Sequence, residues 1–154
     1  MTSFQEIEAR IDQLGDSFGR HMAALAATAD GPEATASFAA EELLRLGEAC
    51  LELWLQARGE EPTQGTKEGF RLLALHRQGA KGDPSFNACR ETCRELAYHY
   101  NLVTTEPRHP ETERRLKMAT MVARHLCLFV SGKMQVAGLG EFCCSSRPLR
   151  STGG

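Results

Sequence analysis

The chain has 154 residues, of which 42% are hydrophobic, and a net charge of −2. This composition is typical of one folded domain and excludes a disordered chain, while the near-zero charge argues against nucleic-acid binding by bulk electrostatics. The sum conceals a division, because residues 1–66 carry 4 basic and 12 acidic side chains whereas residues 67–154 carry 14 basic and 8 acidic ones.

From the sequence we expect neither a membrane-spanning segment nor a secretory signal. No apolar run approaches the roughly 18 residues that a bilayer span needs. Acidic residues stand near the N-terminus, where a signal peptide would have basic ones. We therefore expect a cytoplasmic protein whose 6 cysteines are reduced rather than joined in disulfides.

Two long helices are predicted in the acidic part of the chain. Ser3 and Glu6 form a capping box, and apolar residues then recur at steps of three and four as far as Leu25. After the Asp-Gly-Pro turn at residues 30–32, Pro32 fits the first turn of a second helix that extends to Ala57.

The second predicted helix has an unusually broad apolar face. Such a face indicates contact either with two neighbouring helices or with a second subunit. We take the subunit interpretation as the leading one, with buried aromatic and leucine side chains as anchors of an interface. The predicted interface residues are Leu44, Leu51, Trp54 and Leu55.

The basic part of the chain also reads as helical. Thr66 is predicted to cap a short third helix, a fourth helix runs from Pro84 to a cap at Asn101, and a last long helix opens at Pro110. No segment has the period-two alternation of a strand. We therefore predict an all-α antiparallel bundle of four to five helices, with its third arm broken near Gly79–Pro84. Residues 1–142 form one domain and residues 143–154 a flexible C-terminal tail.

Cys89 and Cys93 lie one helical turn apart and are the candidate metal ligands. Two thiolates on one face suit a soft metal such as Zn(II) or Cu(I), if further ligands converge on them. Packing explains the same pair as small buried side chains, which is the simpler interpretation. No other cofactor is expected.

A basic cluster occurs around the start of the last predicted helix. It suits phosphate or nucleic-acid binding, although nearby glutamates dilute it. Ion pairs with the acidic first two helices explain it more simply, so nucleic acid is not favoured as a partner. The basic residues are Arg108, Arg114, Arg115 and Lys117.

Familiar catalytic motifs, such as a phosphate-binding glycine loop or a Gly-x-Ser-x-Gly elbow, are missing. The sequence therefore favours a non-enzymatic interaction or regulatory module that binds another protein or a second copy of itself. The alternatives are a small metal- or cofactor-binding bundle and an accessory subunit of a larger enzyme or nucleic-acid complex.

Overall fold

The structure, a computed structural model, describes the backbone of residues 3–25 and 31–138, and the side chains of residues 3–16 and 35–138. The predicted all-α class is confirmed, since 80% of the structure is helical and the described ranges contain no strand. The predicted tail 143–154 and residues 139–142 lie outside the described residues. The helices are α1 (Phe4–Leu25), α2 (Gly31–Ala57), α3 (Arg71–Ala80), α4 (Arg90–Thr105) and α5 (Thr112–Ala137), with a 3-10 turn over Pro84–Cys89.

The helix ends follow local backbone chemistry. The hydroxyl oxygen of Ser3 accepts a hydrogen bond from the amide of Glu6 at 3.2 Å, as the capping pattern predicts. At the other end of the chain, α5 stops at Gly138, whose φ of 71° is the left-handed conformation that glycine adopts without strain.

Two predicted boundaries are wrong. Thr66 does not cap a helix, because the chain turns at Glu68 and Gly69, with φ values of 54° and 85°, before α3 begins. Asn101 does not end α4, which continues to Thr105 and carries Val103 into the core. In both cases tertiary packing and turn geometry outweigh the local signal.

Four helices form the bundle, with α1 antiparallel to α5 and α4 antiparallel to both α2 and α5. Asp12 pairs with Arg124, and a side chain added at Gly15 would meet Thr120. Moving from residue 12 to residue 15 of α1 thus corresponds to moving from residue 124 to residue 120 of α5, so the two helices are antiparallel. The shared core consists of the leucine, isoleucine, alanine, valine and cysteine side chains of all helices, centred on the fully buried Phe86.

The predicted break at Gly79–Pro84 is where the chain reverses. The start of α3 lies near Glu52 of α2 and its end lies against Trp54, whereas α4 runs back along α2 towards Gly47. Gly82, with a φ of 90°, provides the turn. The short helix α3 therefore lies beside the bundle, and the reversal creates a surface between α3 and the start of α4.

None of the helices in the described ranges is long and apolar enough to cross a membrane.

Candidate functional site

The structure buries all four residues that the sequence suggested as interface anchors. Leu44, Leu51, Trp54 and Leu55 are at most 4% exposed, and the Trp54 ring stacks on Phe86 with centroids 4.9 Å apart. The broad face of α2 is broad because α1, α3, α4 and α5 all pack against it. These side chains fill the core of the domain, so the interface assignment does not hold.

One charged residue of α2, Glu48, is buried, and the sequence did not lead us to expect it. The carboxylate of Glu48 lies 2.8 Å from Arg45 and 3.7 Å from Arg71, and its side chain is 4% exposed. Arg71 also reaches Glu52 at 3.2 Å. The network ties α3 to α2 through one charge-assisted hydrogen bond, donated by Arg71 to Glu52, and through the longer ion pair of Arg71 with Glu48. The signal in the sequence is a glutamate within the apolar face, next to Gly47.

The candidate metal ligands Cys89 and Cys93 are both buried and their thiols interact. Cys89 Sγ donates a hydrogen bond to the Phe86 carbonyl at 3.3 Å, and His76 Nε2 lies 3.1 Å from the same oxygen. Cys50 and Cys127 form a second buried thiol pair between α2 and α5. The expectation that these cysteines occupy the core is confirmed.

The paired thiols have unequal acidities. A hydrogen bond from Cys93, and to a lesser degree from His76, lowers the pKa of Cys89 to about 6. The reciprocal interaction with Cys89, together with burial, raises the pKa of Cys93 well above its ordinary value. The pair thus holds one proton in common over the neutral pH range.

The soft-metal ligands that converge among the described residues are two thiol pairs, Cys89 with Cys93 and Cys50 with Cys127. Among the described residues, no group of three or more His, Cys, Asp or Glu side chains is arranged to hold a metal ion. Four-coordinate Zn(II) therefore lacks a ligand set there, whereas two thiolates suffice for a soft ion such as Cu(I).

Three of the four residues of the basic cluster are paired with nearby glutamates. Arg114 lies 3.7 Å from Glu111, Arg115 lies 3.3 Å from Glu106, and Lys117 lies 3.6 Å from Glu113. Arg108 also interacts with other groups. The predicted ion pairs with the first two helices are therefore wrong for Arg114, Arg115 and Lys117, whose positive charge is largely balanced.

An exposed apolar stripe runs along α5, and the sequence reasoning did not identify it. Its members are exposed by 41% at Met118, 60% at Met121, 55% at Leu128 and 84% at Val136. Four of the six large hydrophobic side chains that are exposed in the described region lie on this α5 stripe; Phe38 and Tyr98 lie elsewhere.

The α5 stripe has the spacing of a coiled-coil seam. Its positions alternate in steps of three and four through Met118, Met121, His125, Leu128 and Gly132. A side chain added at Gly132 would meet no heavy atom within 4 Å. The seam therefore contains an open notch near its C-terminal end.

A cavity of about 340 Å³ opens at the reversal between α3 and α4. Its floor includes the buried Leu73 and His76, and its walls are strongly cationic. Together with the buried thiols of Cys89 and Cys93, this cationic cavity is a candidate site in the described part of the chain.

Comparisons with protein-family models, with curated proteins and with solved structures found no match.

Proposed function

We propose that this protein is a non-enzymatic interaction module that associates with a second copy of itself through the α5 stripe. The observation that carries the proposal is the exposure of Met118, Met121 and Leu128 along one line of α5. The apolar side chains of this seam, which also contains His125 and Gly132, gain free energy when a second helix covers them.

Helix electrostatics favour an antiparallel arrangement of the two copies. Parallel α5 helices would align their dipoles unfavourably, whereas antiparallel helices place the positive end of one beside the negative end of the other. The cations that flank the stripe do not decide the orientation, because each is paired with a carboxylate of its own chain. These cations are Arg114, Lys117, Arg124 and Lys133.

Size complementarity favours a second copy over an unrelated partner. When His125 faces the partner's Leu128 in an antiparallel seam, the same register places Met121 over the partner's Gly132. The long methionine side chain then fills the notch at a residue that has open space around it. A two-fold axis repeats this contact, so one stripe supplies both sides of the interface.

The test is the oligomeric state by analytical ultracentrifugation over about 1–100 μM protein. We expect a reversible dimer of micromolar affinity, because one helix pair buries less than a standard interface. Leu128→Glu should give a monomer of unchanged helicity. Tyr98→Glu is the matched control, since Tyr98 is 59% exposed on α4, and should leave the dimer intact.

A monomer at every concentration would contradict the proposal, as would equal dissociation by the two glutamate variants. A dimer that persists in the Leu128→Glu variant would place the interface elsewhere.

A second candidate function is the binding of a soft metal ion by the interacting Cys89 and Cys93 thiols. The contact between two buried thiols, one of them acidic, supports this candidate. Titration of the reduced protein with Cu(I) against a competing chelator should give one bound ion per chain. Cys93→Ser should abolish binding and Cys127→Ser should preserve it; binding that survives Cys93→Ser contradicts the candidate.

A further inference from the structure

The cavity between α3 and α4 collects positive charge. Its wall contains one carboxylate and five cationic side chains, namely Glu68 with Lys67, Arg77, Lys81, Arg90 and Arg94. A neighbouring depression of about 450 Å³ shares Lys67, Arg77 and Lys81, so these three side chains stand between the two concavities.

Most of this charge is not balanced by the side chains that the structure describes. Arg94 is bound by Glu68 at 2.9 Å. The other four cations form no ion pair with any residue whose side chain the structure describes. Like charges gathered in one concavity repel each other and produce a strong positive potential, which an anion would relieve.

Helix electrostatics explain only part of the arrangement. Arg77 lies in the last turn of α3 and Lys81 follows its end, where cations stabilise the helix dipole. Arg90 is the first residue of α4, where the same dipole disfavours a cation. The positive charge of Arg90 therefore destabilises the start of α4. Contact with an anionic ligand would explain why an arginine stands at this position.

We propose that this cavity binds a small ligand that carries two linked phosphate groups. Arginine and lysine are the side chains that bind phosphate oxygens most effectively, arginine by paired hydrogen bonds. The four cations that form no ion pair with a described side chain are enough to neutralise a diphosphate, whose charge is roughly −3 at neutral pH. The volume suits a small molecule, and the neighbouring depression has room for the remainder of a larger one.

A compact ligand fits better than a nucleic acid. The cations surround a concavity at one end of the bundle, whereas nucleic-acid binding needs phosphate contacts spread along an extended face. The other basic cluster, at Arg114, Arg115 and Lys117, does not extend the cavity, because each of its members is paired with a nearby glutamate.

Isothermal titration calorimetry with sodium pyrophosphate tests the proposal, with inorganic phosphate and a single-stranded oligonucleotide as comparison ligands. We expect one pyrophosphate per chain, bound at least tenfold more tightly than phosphate. The double substitution Arg77→Gln with Arg90→Gln should weaken binding at least tenfold. Arg114→Gln is the matched control, because Arg114 is exposed and outside the cavity, and should bind as the unsubstituted protein does.

The thermal stability of the Arg90→Gln variant separates a binding role from a structural one. Without ligand we expect its melting temperature, followed by circular dichroism, to rise by about 1–3 °C, because a cation is removed from the helix N-terminus and from its like-charged neighbours. A fall in melting temperature would make Arg90 a structural residue and contradict the inference.

Three calorimetric outcomes would overturn the proposal: no heat of binding with pyrophosphate, equal weakening by Arg114→Gln, or tighter binding of the oligonucleotide than of pyrophosphate. The outcome is independent of the proposed dimer, because the α5 stripe lies outside the cavity and Leu128→Glu should bind pyrophosphate unchanged.

Discussion

The acidity of Cys89 is a property of its neighbours on two elements. The thiol of Cys93 and the imidazole of His76 both stabilise the thiolate, while burial opposes it, and the balance places the pKa at about 6. The sequence spacing could predict that Cys89 and Cys93 share a helix face. It could not predict the approach of His76, which depends on the reversal of the chain after α3.

We expect the absorbance of one thiolate, measured near 240 nm, to appear in the folded protein with a midpoint near pH 6. Cys89→Ser should remove this titration, and Cys127→Ser should preserve it. A first thiolate appearing only near pH 9 in the folded protein would contradict the assignment.

The same pKa determines the sign of a pH effect on stability. A thiol whose pKa is lower in the folded state than in the unfolded state stabilises the fold where it is ionised. Its contribution is therefore absent below about pH 6 and grows between pH 6 and the unfolded value near 9. The raised pKa of Cys93 acts in the opposite direction above pH 9, so the contribution of the pair is largest near that pH.

At the scale of single helices, the sequence predicted every long helix, and its periodicity also selected the main apolar face of α5. That face, which includes Leu126, is buried in the structure. The sequence did not reveal the second apolar stripe of α5, on which Leu128 is 55% exposed. Whether a second stripe is covered depends on the positions of α1, α2 and α4, which only the packed bundle supplies.

Two glycines within helices should respond oppositely to alanine. At Gly47 of α2 an added Cβ would lie 2.7 Å from a methyl carbon of the buried Leu96, so the gain in helix propensity is offset by a forced shift in the core. At Gly132 of α5 nothing lies within 4 Å of the added atom. The propensity gain of roughly 0.5–1 kcal/mol is then retained.

Urea denaturation should therefore show Gly132→Ala to be more stable than the unsubstituted protein, and Gly47→Ala to be less stable by about 1–3 kcal/mol. The comparison is made in the Leu128→Glu background, so that changes in dimerisation do not enter. Equal stabilisation by both alanines would contradict this prediction, because it would mean that Leu96 moves away from the added Cβ at Gly47 without loss of stability.

At the scale of the whole molecule, the division into an acidic and a basic part has a limited structural role. Three ion pairs within the described residues join residues 1–66 to the rest, namely those of Arg71 with Glu48 and Glu52, and that of Arg124 with Asp12. The pairs of Arg10, Arg45, Arg94 and Lys133 stay within one part. Composition alone could not predict this, because it does not distinguish a pair within a helix from one between helices.

Salt should accordingly have two opposing effects. Screening weakens the surface ion pairs, each worth under about 1 kcal/mol, and it also relieves the repulsion among the cations of the cavity. We expect an increase from about 0.05 M to about 0.5 M NaCl to lower the free energy of unfolding more in the Arg77→Gln, Arg90→Gln double variant than in the unsubstituted protein. Urea denaturation at both salt concentrations measures this difference. Parallel changes in the two proteins would show that the cavity cations do not repel each other appreciably.

The stacked rings of Trp54, Phe86 and His76 give the protein an internal optical reporter. Trp54 is the one tryptophan of the chain, and it lies against Phe86, which in turn stacks on His76 in the floor of the cavity. Its indole is 2% exposed, so the folded protein should emit at short wavelength. Trp54 belongs to α2, and Phe86 belongs to the reversal between α3 and α4. A displacement of that reversal would therefore change the surroundings of the indole and shift its emission, so no added label is needed to detect it.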